Sequence, residues 1–330
     1  MEESHAIGRR RFLKQASTFA AMTAMGSTPS RVLAGDEHVT LTILHTNDVH
    51  SRIEPFPMDG SRYQGLGGVA RRATLVERIR QEQRNVLLLD AGDTVQGTPY
   101  FNLFGGQVEL ELMSKMGYDA STFGNHEFDN GLEGLAKMLP FADFPFLTAN
   151  YDFRNTILKG KTRDYVIFRR QGLRIGVFGL GIQLEGLVDP NHHRDVRYLD
   201  PIATANTYAE RLKEDYKCNL VVCLSHLGYR YGSNQVSDRL LAANTRRIDL
   251  IIGGHTHTFM PAPEHIRNLD GETTTVNQVG FAGINLGRLD YVFDRRLGKK
   301  KAVTASTYEV SEQVFLAKHA KYPQSTLRII

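Results

Sequence analysis

The stretch TFGNHEFDNG (residues 122–131) places an amide, an imidazole and two carboxylates between Asn125 and Asp129. Gly124 and Gly131 enclose this polar run. A strand-like segment precedes the run and a helix-like segment follows it, so the run occupies the turn between a strand and a helix. Turns at this position of α/β proteins often carry functional side chains, which makes this one the first candidate for a site.

From Val39 onward the chain repeats the same arrangement of an apolar run, a polar loop and a helix. The apolar runs VTLTIL, NVLLLD, LRIGVFG, NLVVCL and DLII predict buried strands. Helical periodicity is clearest in GVARRATLVERIRQ and in PIATANTYAERLKEDY, where Pro201 suits a first turn. The later segments TTTVNQVG and INLGRLDYVFD predict strands without intervening helices. This order predicts an α/β fold with a second sheet or a sheet edge near the C-terminus.

Composition limits the classes of function. A chain of 330 residues with 41% hydrophobic and 23% charged residues is typical of a globular protein. We expect residues 35–330 to form a single domain, with one or two strands and a tail after about residue 300. Residues 1–34 carry most of the net charge of +4. The remaining charge is close to zero, which gives no reason to expect binding to a nucleic acid polymer or a membrane surface.

The two cysteines, Cys218 and Cys223, lie in the segment CNLVVCLSHLG. In a continuous strand this spacing would place their side chains on opposite faces, roughly 16 Å apart. That separation is too large for a disulfide. We therefore expect both residues to be small, buried core residues and the fold to be independent of disulfides.

Residues 1–34 have the pattern of an export signal. The motif RRRFLK is followed by a short apolar stretch and by the small residues Ala34 and Gly35 at a potential cleavage site. The segment resembles a bacterial twin-arginine (Tat) signal, except at Gly8, where Ser or Thr is usual. The resemblance implies a periplasmic or otherwise exported protein. No apolar run approaches the roughly 20 residues of a membrane span, so we expect no stable membrane insertion.

Metal-binding side chains follow successive predicted strands. They are Asp48 and His50 after the first strand, Asp93 after the second, Asn125 after the third, His226 after NLVVCLS, and His255 and His257 after DLII. A lone histidine after a strand is usually structural. Because the carboxyl ends of parallel strands meet at one edge of a sheet, however, we expect these side chains to converge.

The chemistry of this set favours particular metals. A mixture of imidazole and carboxylate ligands favours Mn, Zn, Fe or Co over Ca or Mg. Seven ligands exceed the need of one tetrahedral ion, so the set implies two divalent ions. One carboxylate must then bridge them, and Asp93, central in sequence order, is the natural candidate. Two such ions about 3.5–4 Å apart can hold a phosphate and generate hydroxide from a bridging water.

The motifs D-x-H, G-D, G-N-H-E, an isolated His and G-H-x-H, in this order, resemble those of the calcineurin-like metallophosphoesterase superfamily. The segments ILHTNDVHSRIEP, GGVARR, GDTVQGTPYFN and GNHEFDNG are similar to the catalytic domain of the 5′-nucleotidase/UDP-sugar hydrolase family, over about residues 39–295. The resemblance implies a four-layer α/β/β/α sandwich of two mixed sheets flanked by helices. It also implies a dimetal phosphoesterase that acts on nucleoside 5′-monophosphates or related nucleotides.

The resemblance further assigns roles to individual residues. One ion would be held by Asp48, His50, Asp93 and His257, and the other by Asp93, Asn125, His226 and His255. His126 would be the catalytic histidine, oriented by Asp129. With its neighbour Asn125 committed to a metal, a protonated His126 could face the phosphate, stabilise developing charge and help the leaving oxygen depart. We expect Glu127 and Phe128 to be structural.

Several alternatives remain open. Members of the nucleotidase family normally carry a second domain that binds the substrate, and we expect none within these 330 residues. A separately encoded domain could supply it, local loops could replace it, or the substrates could be smaller phosphoesters. Related activities are 2′,3′-cyclic nucleotide phosphodiesterase, nucleotide-sugar hydrolase and thiosulfohydrolase, and a different class is a non-catalytic metal-binding partner subunit. Tyr229, Tyr231 and Phe259 flank the metal motifs and are equally suited to substrate contact and to packing.

Overall fold

The computed structural model describes residues 37–313 and 327–329. The described residues from His38 onward form one compact unit. The segment assigned to an export signal, residues 1–34, lies outside the described residues. Within the described ranges, none of the helices has the length and apolar character needed to cross a bilayer.

In the first sheet, β1 (His38–Thr46) lies next to the edge strand. β1 pairs in parallel with β2 (Val86–Asp90) and antiparallel with β13 (Asn285–Asp294). Beyond β13, the antiparallel strands β14 (Lys300–Glu309) and β15 (Leu327–Ile329) extend the sheet. β14 confirms the prediction of a strand after about residue 300. β1 and β2 are buried along nearly their whole length, which explains why they read as continuous apolar runs.

The second sheet contains six strands among the described residues. In spatial order they are β11 (Glu264–Arg267), β12 (Thr273–Asn277), β10 (Leu250–Gly253), β9 (Leu220–Ser225), β7 (Leu173–Leu180) and β6 (Tyr165–Arg170). The four inner strands are parallel, and the two edge strands are antiparallel to their neighbours. The edge strands β6 and β11 are largely half-buried. The search for buried apolar runs therefore missed both.

Short strands and helices complete the described fold. The short strands form two pairs, β3 (Ser121–Thr122) with β4 (Phe146–Leu147) and β5 (Tyr151–Asp152) with β8 (Arg197–Tyr198). The α-helices are α1 (Val69–Glu82), α2 (Pro99–Phe104), α3 (Gln107–Met116), α4 (Gly131–Met138), α5 (Pro201–Glu214) and α6 (Asp238–Asn244). The side chain of Asp200 caps α5 by accepting a hydrogen bond from the backbone N–H of Ala203 at 2.7 Å. Pro201 occupies the first turn of this helix, as its sequence predicts.

Three apolar clusters separate the layers. The cluster between the sheets includes Leu41, Ile43 and Leu87 from the first sheet and Val177, Val222 and Ile252 from the second. On the outer face of the first sheet, Leu44 and Leu88 pack with residues of α1 and α3, including Leu75, Ile79, Leu110 and Met113. On the outer face of the second, Val221 and Ile251 pack with Leu212 of α5 and Leu241 of α6. Helices therefore cover both sheets, which confirms the predicted α/β/β/α fold class.

Cys218 and Cys223 are both buried and free, as predicted. Both belong to the cluster beneath α5 and α6. The prediction that they occupy opposite faces was therefore wrong. The reason is that β9 begins at Leu220, so the alternation of a strand does not apply to Cys218, which precedes it.

Asp249 connects the two sheets through charged hydrogen bonds. Its Oδ2 accepts from Lys213 Nζ of α5 at 2.7 Å and from the backbone N–H of Val221 in β9 at 2.9 Å. Its Oδ1 accepts from Lys300 Nζ of β14 at 2.9 Å. Burial raises the pKa of Asp249, but the two lysines outweigh it and hold the pKa below its ordinary value.

We expect Asp249→Asn to lower the free energy of unfolding at pH 7 by about 1–3 kcal/mol, because two lysines lose a counter-charge that is only 14% exposed. A carboxyl whose pKa is depressed in the folded state stabilises it above the unfolded pKa, and this contribution is lost as the pH falls through the folded pKa. The advantage of the wild type should therefore shrink below about pH 4. Urea unfolding at several pH values measures both effects.

Glu214→Gln is the matched control for this prediction. Glu214 pairs with Lys217 and Arg247 but is 52% exposed, so solvent screens its charge and its substitution should change stability little. Equal losses in the two variants would contradict a special role for Asp249.

Candidate metal centre

The loops that follow β1 and β2 run side by side at one edge of the sandwich. The backbone N–H groups of Asp48 and His50 donate to carbonyl oxygens of the second loop at 2.9 and 3.0 Å. Asp48, His50 and Asp93 all have φ near +50°, and His255 and His257 also have positive φ. This left-handed conformation is uncommon for residues other than glycine. Its recurrence at five predicted ligands shows that tight turns aim these side chains into one region.

The structure brings all seven predicted ligands together. The donor atoms of Asp48, His50 and His257 lie within 4.8 Å of one another, and so do those of Asp93, His226 and His255. The two groups are adjacent, because His50 Nε2 lies 3.9 Å from Asp93 Oδ2. The seventh residue, Asn125, lies in the second group, with its Oδ1 2.9 Å from His255 Nδ1.

The orientation of His226 is fixed by the backbone. Its Nδ1 lies 2.7 Å from the carbonyl oxygen of Ala91, so Nδ1 is the donor. In the neutral ring, Nε2 therefore carries the lone pair, and this atom lies 3.0 Å from Asp93 Oδ2. With no cation beside it, burial lowers the pKa of His226, but Asp93 outweighs burial and the pKa rises to about 10. The raised pKa favours a proton on Nε2 of His226, next to the negative charge of Asp93.

The charges of the site fit a metal. Asp48 and Asp93 are 0% and 2% exposed, and their recorded ion pairs in the described part of the chain are with histidines alone. Burial raises the pKa of Asp48 well above its ordinary value. Two buried neighbouring carboxylates require a cation to remain ionised. Burial also lowers the pKa values of His50 and His255 to about 4, which keeps their rings neutral, as metal ligation requires.

Glycines form the wall of the site. A Cβ atom at Gly124 would lie 2.1 Å from Asp93 Oδ1 and 2.6 Å from His226 Nε2. At Gly92, where φ is +87°, a Cβ would lie 2.6 Å from the backbone nitrogen of Gly124. Only glycine allows the second and third loops to approach this closely while leaving space for the donor atoms.

Glu127 braces these loops. Its carboxylate accepts hydrogen bonds from the backbone N–H groups of Asp93 at 3.1 Å, Thr94 at 2.8 Å and Gly124 at 2.6 Å. Burial of the side chain, together with the nearby charge of Asp93, raises the pKa of Glu127 to about 7. Its expected structural role is borne out, although its three backbone partners could not be read from the sequence. Phe128 is fully buried and packs beneath the turn, as expected.

Sequence reasoning missed Asn47. Its Nδ2 donates to Asp48 Oδ2 and to the carbonyl oxygen of Gly280, both at 2.6 Å, and its Oδ1 accepts from the backbone N–H of Val279 at 3.0 Å. Asn47 therefore connects the first metal loop to the segment before β13. In the sequence, its position directly before the D-x-H motif indicated that it could belong to the site. The motif does not indicate its hydrogen-bond partners.

His126 and Asp129 form a pair at the open side of the site. His126 Nδ1 lies 2.8 Å from Asp129 Oδ2, and the two side chains are 32% and 28% exposed. The hydrogen bond that His126 donates to Asp129 raises the pKa of His126. The backbone N–H of His126 donates to Asp93 Oδ1 at 2.9 Å, and its ring meets the ring of His50 edge-on at 5.3 Å. The pair thus borders the ligand cluster and remains accessible to a small molecule.

The aromatic residues near the motifs differ in their surroundings. The hydroxyl of Tyr229 donates to Glu264 at 2.8 Å, and that of Tyr231 donates to the carbonyl oxygen of Leu227 at 2.7 Å. These contacts connect Tyr229 to β11 and Tyr231 to its own loop. Phe259 has no polar group and its side chain is 37% exposed.

The order of ligands along the chain and their convergence at one sheet edge agree with a family match over residues 41–259, to calcineurin-like phosphoesterases. The chain belongs to the calcineurin-like phosphoesterase family. Snake venom 5′-nucleotidase of Crotalus adamanteus is 36% identical over 274 residues, which are 77% of this chain and 45% of that relative. The chain is therefore homologous to metal-dependent hydrolases and spans about half the length of such relatives.

Solved structures of the family extend the comparison. The 5′-nucleotidase precursor of Thermus thermophilus has a TM-score of 0.74 and 34% identity, covering 84% of this chain and 55% of its own. The calcineurin-like phosphoesterase YfkN of Bacillus subtilis has a TM-score of 0.68 and 25% identity, covering 84% of this chain and 95% of the solved one. The described fold is thus that of the family's phosphoesterase domain.

We expect Gly124→Ala to reduce the metal bound by the purified protein severely, because its methyl group would overlap Asp93 Oδ1 and the ring of His226. Elemental analysis after dialysis against Mn or Zn measures the bound metal. Gly232→Ala is the control, since a Cβ there meets no atom within 4 Å and its φ is not positive. Normal metal content in Gly124→Ala would show that the site does not depend on this close approach.

Proposed function

We propose that this protein is an exported phosphoesterase with two divalent metal ions, which hydrolyses nucleoside 5′-monophosphates or related nucleotide phosphoesters. One observation carries the proposal: an accessible His126–Asp129 pair borders a buried cluster of carboxylates and neutral imidazoles. Such a cluster suits binding of a phosphate, and such a pair suits proton transfer to it. The similarity to 5′-nucleotidases supports nucleotides as the substrate class.

We assign the ligands to two ions that share Asp93. The first set is Asp48, His50, Asp93 and His257, and the second is Asp93, Asn125, His226 and His255. Two of the three compact groups of donor atoms support this division, and the third joins His50 and Asp93 with His126. The donor types suit Mn, Zn, Fe or Co. When bound, such ions supply positive charge for phosphate oxygens and lower the pKa of a water molecule.

His126 acts on the leaving group in this proposal. Because the carboxylate of Asp129 accepts from Nδ1, the Nε2 atom of His126 is available to the substrate. The same hydrogen bond raises the pKa of His126 and so favours the protonated ring. Nε2–H can then stabilise negative charge on the phosphoryl group and transfer its proton to the leaving oxygen. Asp129 is a positioning residue that holds the ring in this orientation.

Export is proposed from the twin-arginine pattern within residues 1–34, which would be removed to leave a catalytic domain from residue 35. The occurrence of a homologous 5′-nucleotidase in snake venom supports a secreted protein. N-terminal sequencing of the protein recovered from the periplasmic fraction tests this assignment. A full-length protein confined to the cytoplasm would refute it.

We expect His126→Ala to lower kcat for adenosine 5′-monophosphate by about 10²–10⁴-fold, the usual contribution of a general acid. Asp129→Asn should reduce kcat less, because the ring remains but its orientation and proton affinity change. Phosphate release by the metal-reconstituted protein measures both effects, and elemental analysis checks that the metal content is unchanged. His38→Ala, an exposed histidine at the start of β1, is the control.

The outcomes separate the candidate functions. A lower metal content in His126→Ala would make His126 a ligand, which its closeness to His50 and Asp93 permits. A substrate panel containing 2′,3′-cyclic nucleotides, nucleotide sugars and a thiosulfonate identifies the related activities. If the wild type hydrolyses none of these compounds with Mn, Zn, Fe or Co, the proposed function is wrong and the non-catalytic alternative stands.

A further inference from the structure

Four aromatic residues form a cluster beside the candidate metal centre. We call this cluster the aromatic platform, and it consists of Phe56, Tyr63, Phe259 and Phe281. Phe56 and Tyr63 belong to the loop between β1 and α1, Phe259 follows β10, and Phe281 precedes β13. Neighbouring ring centroids are 5.5 to 6.4 Å apart, the range of favourable aromatic contacts.

The platform is in direct contact with a predicted metal ligand. The ring of Phe281 lies parallel to the imidazole of His257, at an interplanar angle of 9° and a centroid distance of 5.2 Å. His257 Nε2 in turn lies 3.5 Å from Asp48 Oδ1 and 2.9 Å from His50 Nε2. A molecule whose phosphate occupies the metal centre would therefore bring its adjoining groups close to the platform.

The backbone beneath the platform is fixed. Gly280 has a φ of +87°, and a Cβ there would lie 2.3 Å from the ring of Phe259, so this ring packs directly on the glycine backbone. Phe259 forms a β-bridge with Val279. The backbone N–H of Ala282 donates to the carbonyl oxygen of Asp48 at 2.7 Å. The same contacts thus position the metal loop and two platform rings, which preorganises the surface for a ligand.

The platform is not part of the core. All four residues lie outside the three apolar clusters, and Phe259 is 37% exposed. The rings beneath the metal-binding turn, Phe123 and Phe128, are in contrast completely buried. The other three rings are half-buried, and a partly exposed group of aromatic rings fixed next to a polar site is typical of ligand binding.

Two arginines add positive charge at the edge of the platform. The guanidinium carbon of Arg52 lies 4.2 Å from the ring centroid of Phe56, and that of Arg62 lies 5.3 Å from the centroid of Tyr63. Such cation–π contacts hold the arginines near the rings. Aromatic faces beside cationic groups complement a ligand that is both planar and anionic.

We propose that the aromatic platform binds the base of a nucleotide whose phosphate lies at the metal centre. This inference rests on the proposed function and specifies how a nucleotide is recognised by the described residues. Because every base presents a π-face, stacking should favour nucleotides over sugar phosphates while discriminating weakly among bases. Tyr63 and Phe259 are the proposed specificity-determining residues, since Phe281 is already stacked on His257.

Tryptophan fluorescence tests the platform without requiring catalysis. The chain contains no tryptophan, so Tyr63→Trp introduces a single reporter that can still stack. Titration of this metal-loaded variant with adenosine 5′-monophosphate should give saturable quenching, whereas ribose 5-phosphate should give none. Adding Phe259→Ala should weaken the apparent affinity for the nucleotide by about tenfold, the effect of losing one stacking ring. Absence of saturable quenching by the nucleotide would overturn the proposal.

Kinetics provide the second measurement. In the otherwise wild-type chain, Phe259→Ala should lower kcat/KM for adenosine 5′-monophosphate about tenfold more than for ribose 5-phosphate, mainly through KM. Phe141→Ala is the matched control, because Phe141 is 36% exposed and lies outside the platform, and it should leave this ratio unchanged. Tyr63→Leu replaces Phe259→Ala if the latter does not fold. Equal losses for the two substrates would refute base stacking.

The two measurements separate this proposal from the proposed function. If both substrates are hydrolysed but the nucleotide does not quench the reporter, the platform is refuted and the phosphoesterase function stands. If neither substrate is hydrolysed but quenching is saturable, nucleotide binding by the platform stands and the proposed function is wrong.

Discussion

The close approach of two buried carboxylates, Asp48 and Asp93, is the constraint on which the site depends. Neither has a lysine or arginine counter-ion among the described residues, and their ion pairs there are with histidines. Burial raises the pKa of Asp48 well above its ordinary value, and the charge of Asp93 raises the pKa of His226 to about 10 against the effect of burial, so both groups tend to hold a proton. A divalent ion would replace those protons with a fixed charge. The need for a cation therefore follows from the fold itself.

The surrounding residues are arranged to maintain that approach. Glu127 gathers three backbone N–H groups from two loops, and Asn47 fastens the first loop to the segment before β13. Gly92 and Gly124 remove the side chains that would separate the loops. Each of these residues acts on the backbone of the loops. The predicted ligands, which come from distant parts of the sequence, are therefore held in fixed positions. Such convergence of strand ends also places the partly exposed His126 beside the cluster, where the proposed function requires it to reach a phosphate.

The residues of the site were predictable from the sequence because metal chemistry restricts the ligand types and parallel strands restrict their location. The same reasoning found the inner strands, whose burial on both faces leaves continuous apolar runs. It missed β6 and β11, because half-buried edge strands lack such runs. It also misplaced Cys218 by extending β9 too far toward the N-terminus. The partners of Asn47 and the assembly of the platform depend on contacts across the fold, which no local pattern encodes.

In the proposed function, the chemistry and the recognition of a substrate depend on different parts of the chain. The seven predicted ligands follow strand ends, where a change of residue type would disturb both the charge balance and the proposed metal binding. Two of the four platform rings come instead from the long loop between β1 and α1, and the contacts of the platform are mostly apolar. Neither Tyr63 nor Phe259 is a predicted ligand, and neither side chain hydrogen-bonds to the buried carboxylates. A phosphoesterase of this construction can change its preferred leaving group through loop residues while the metal centre stays the same.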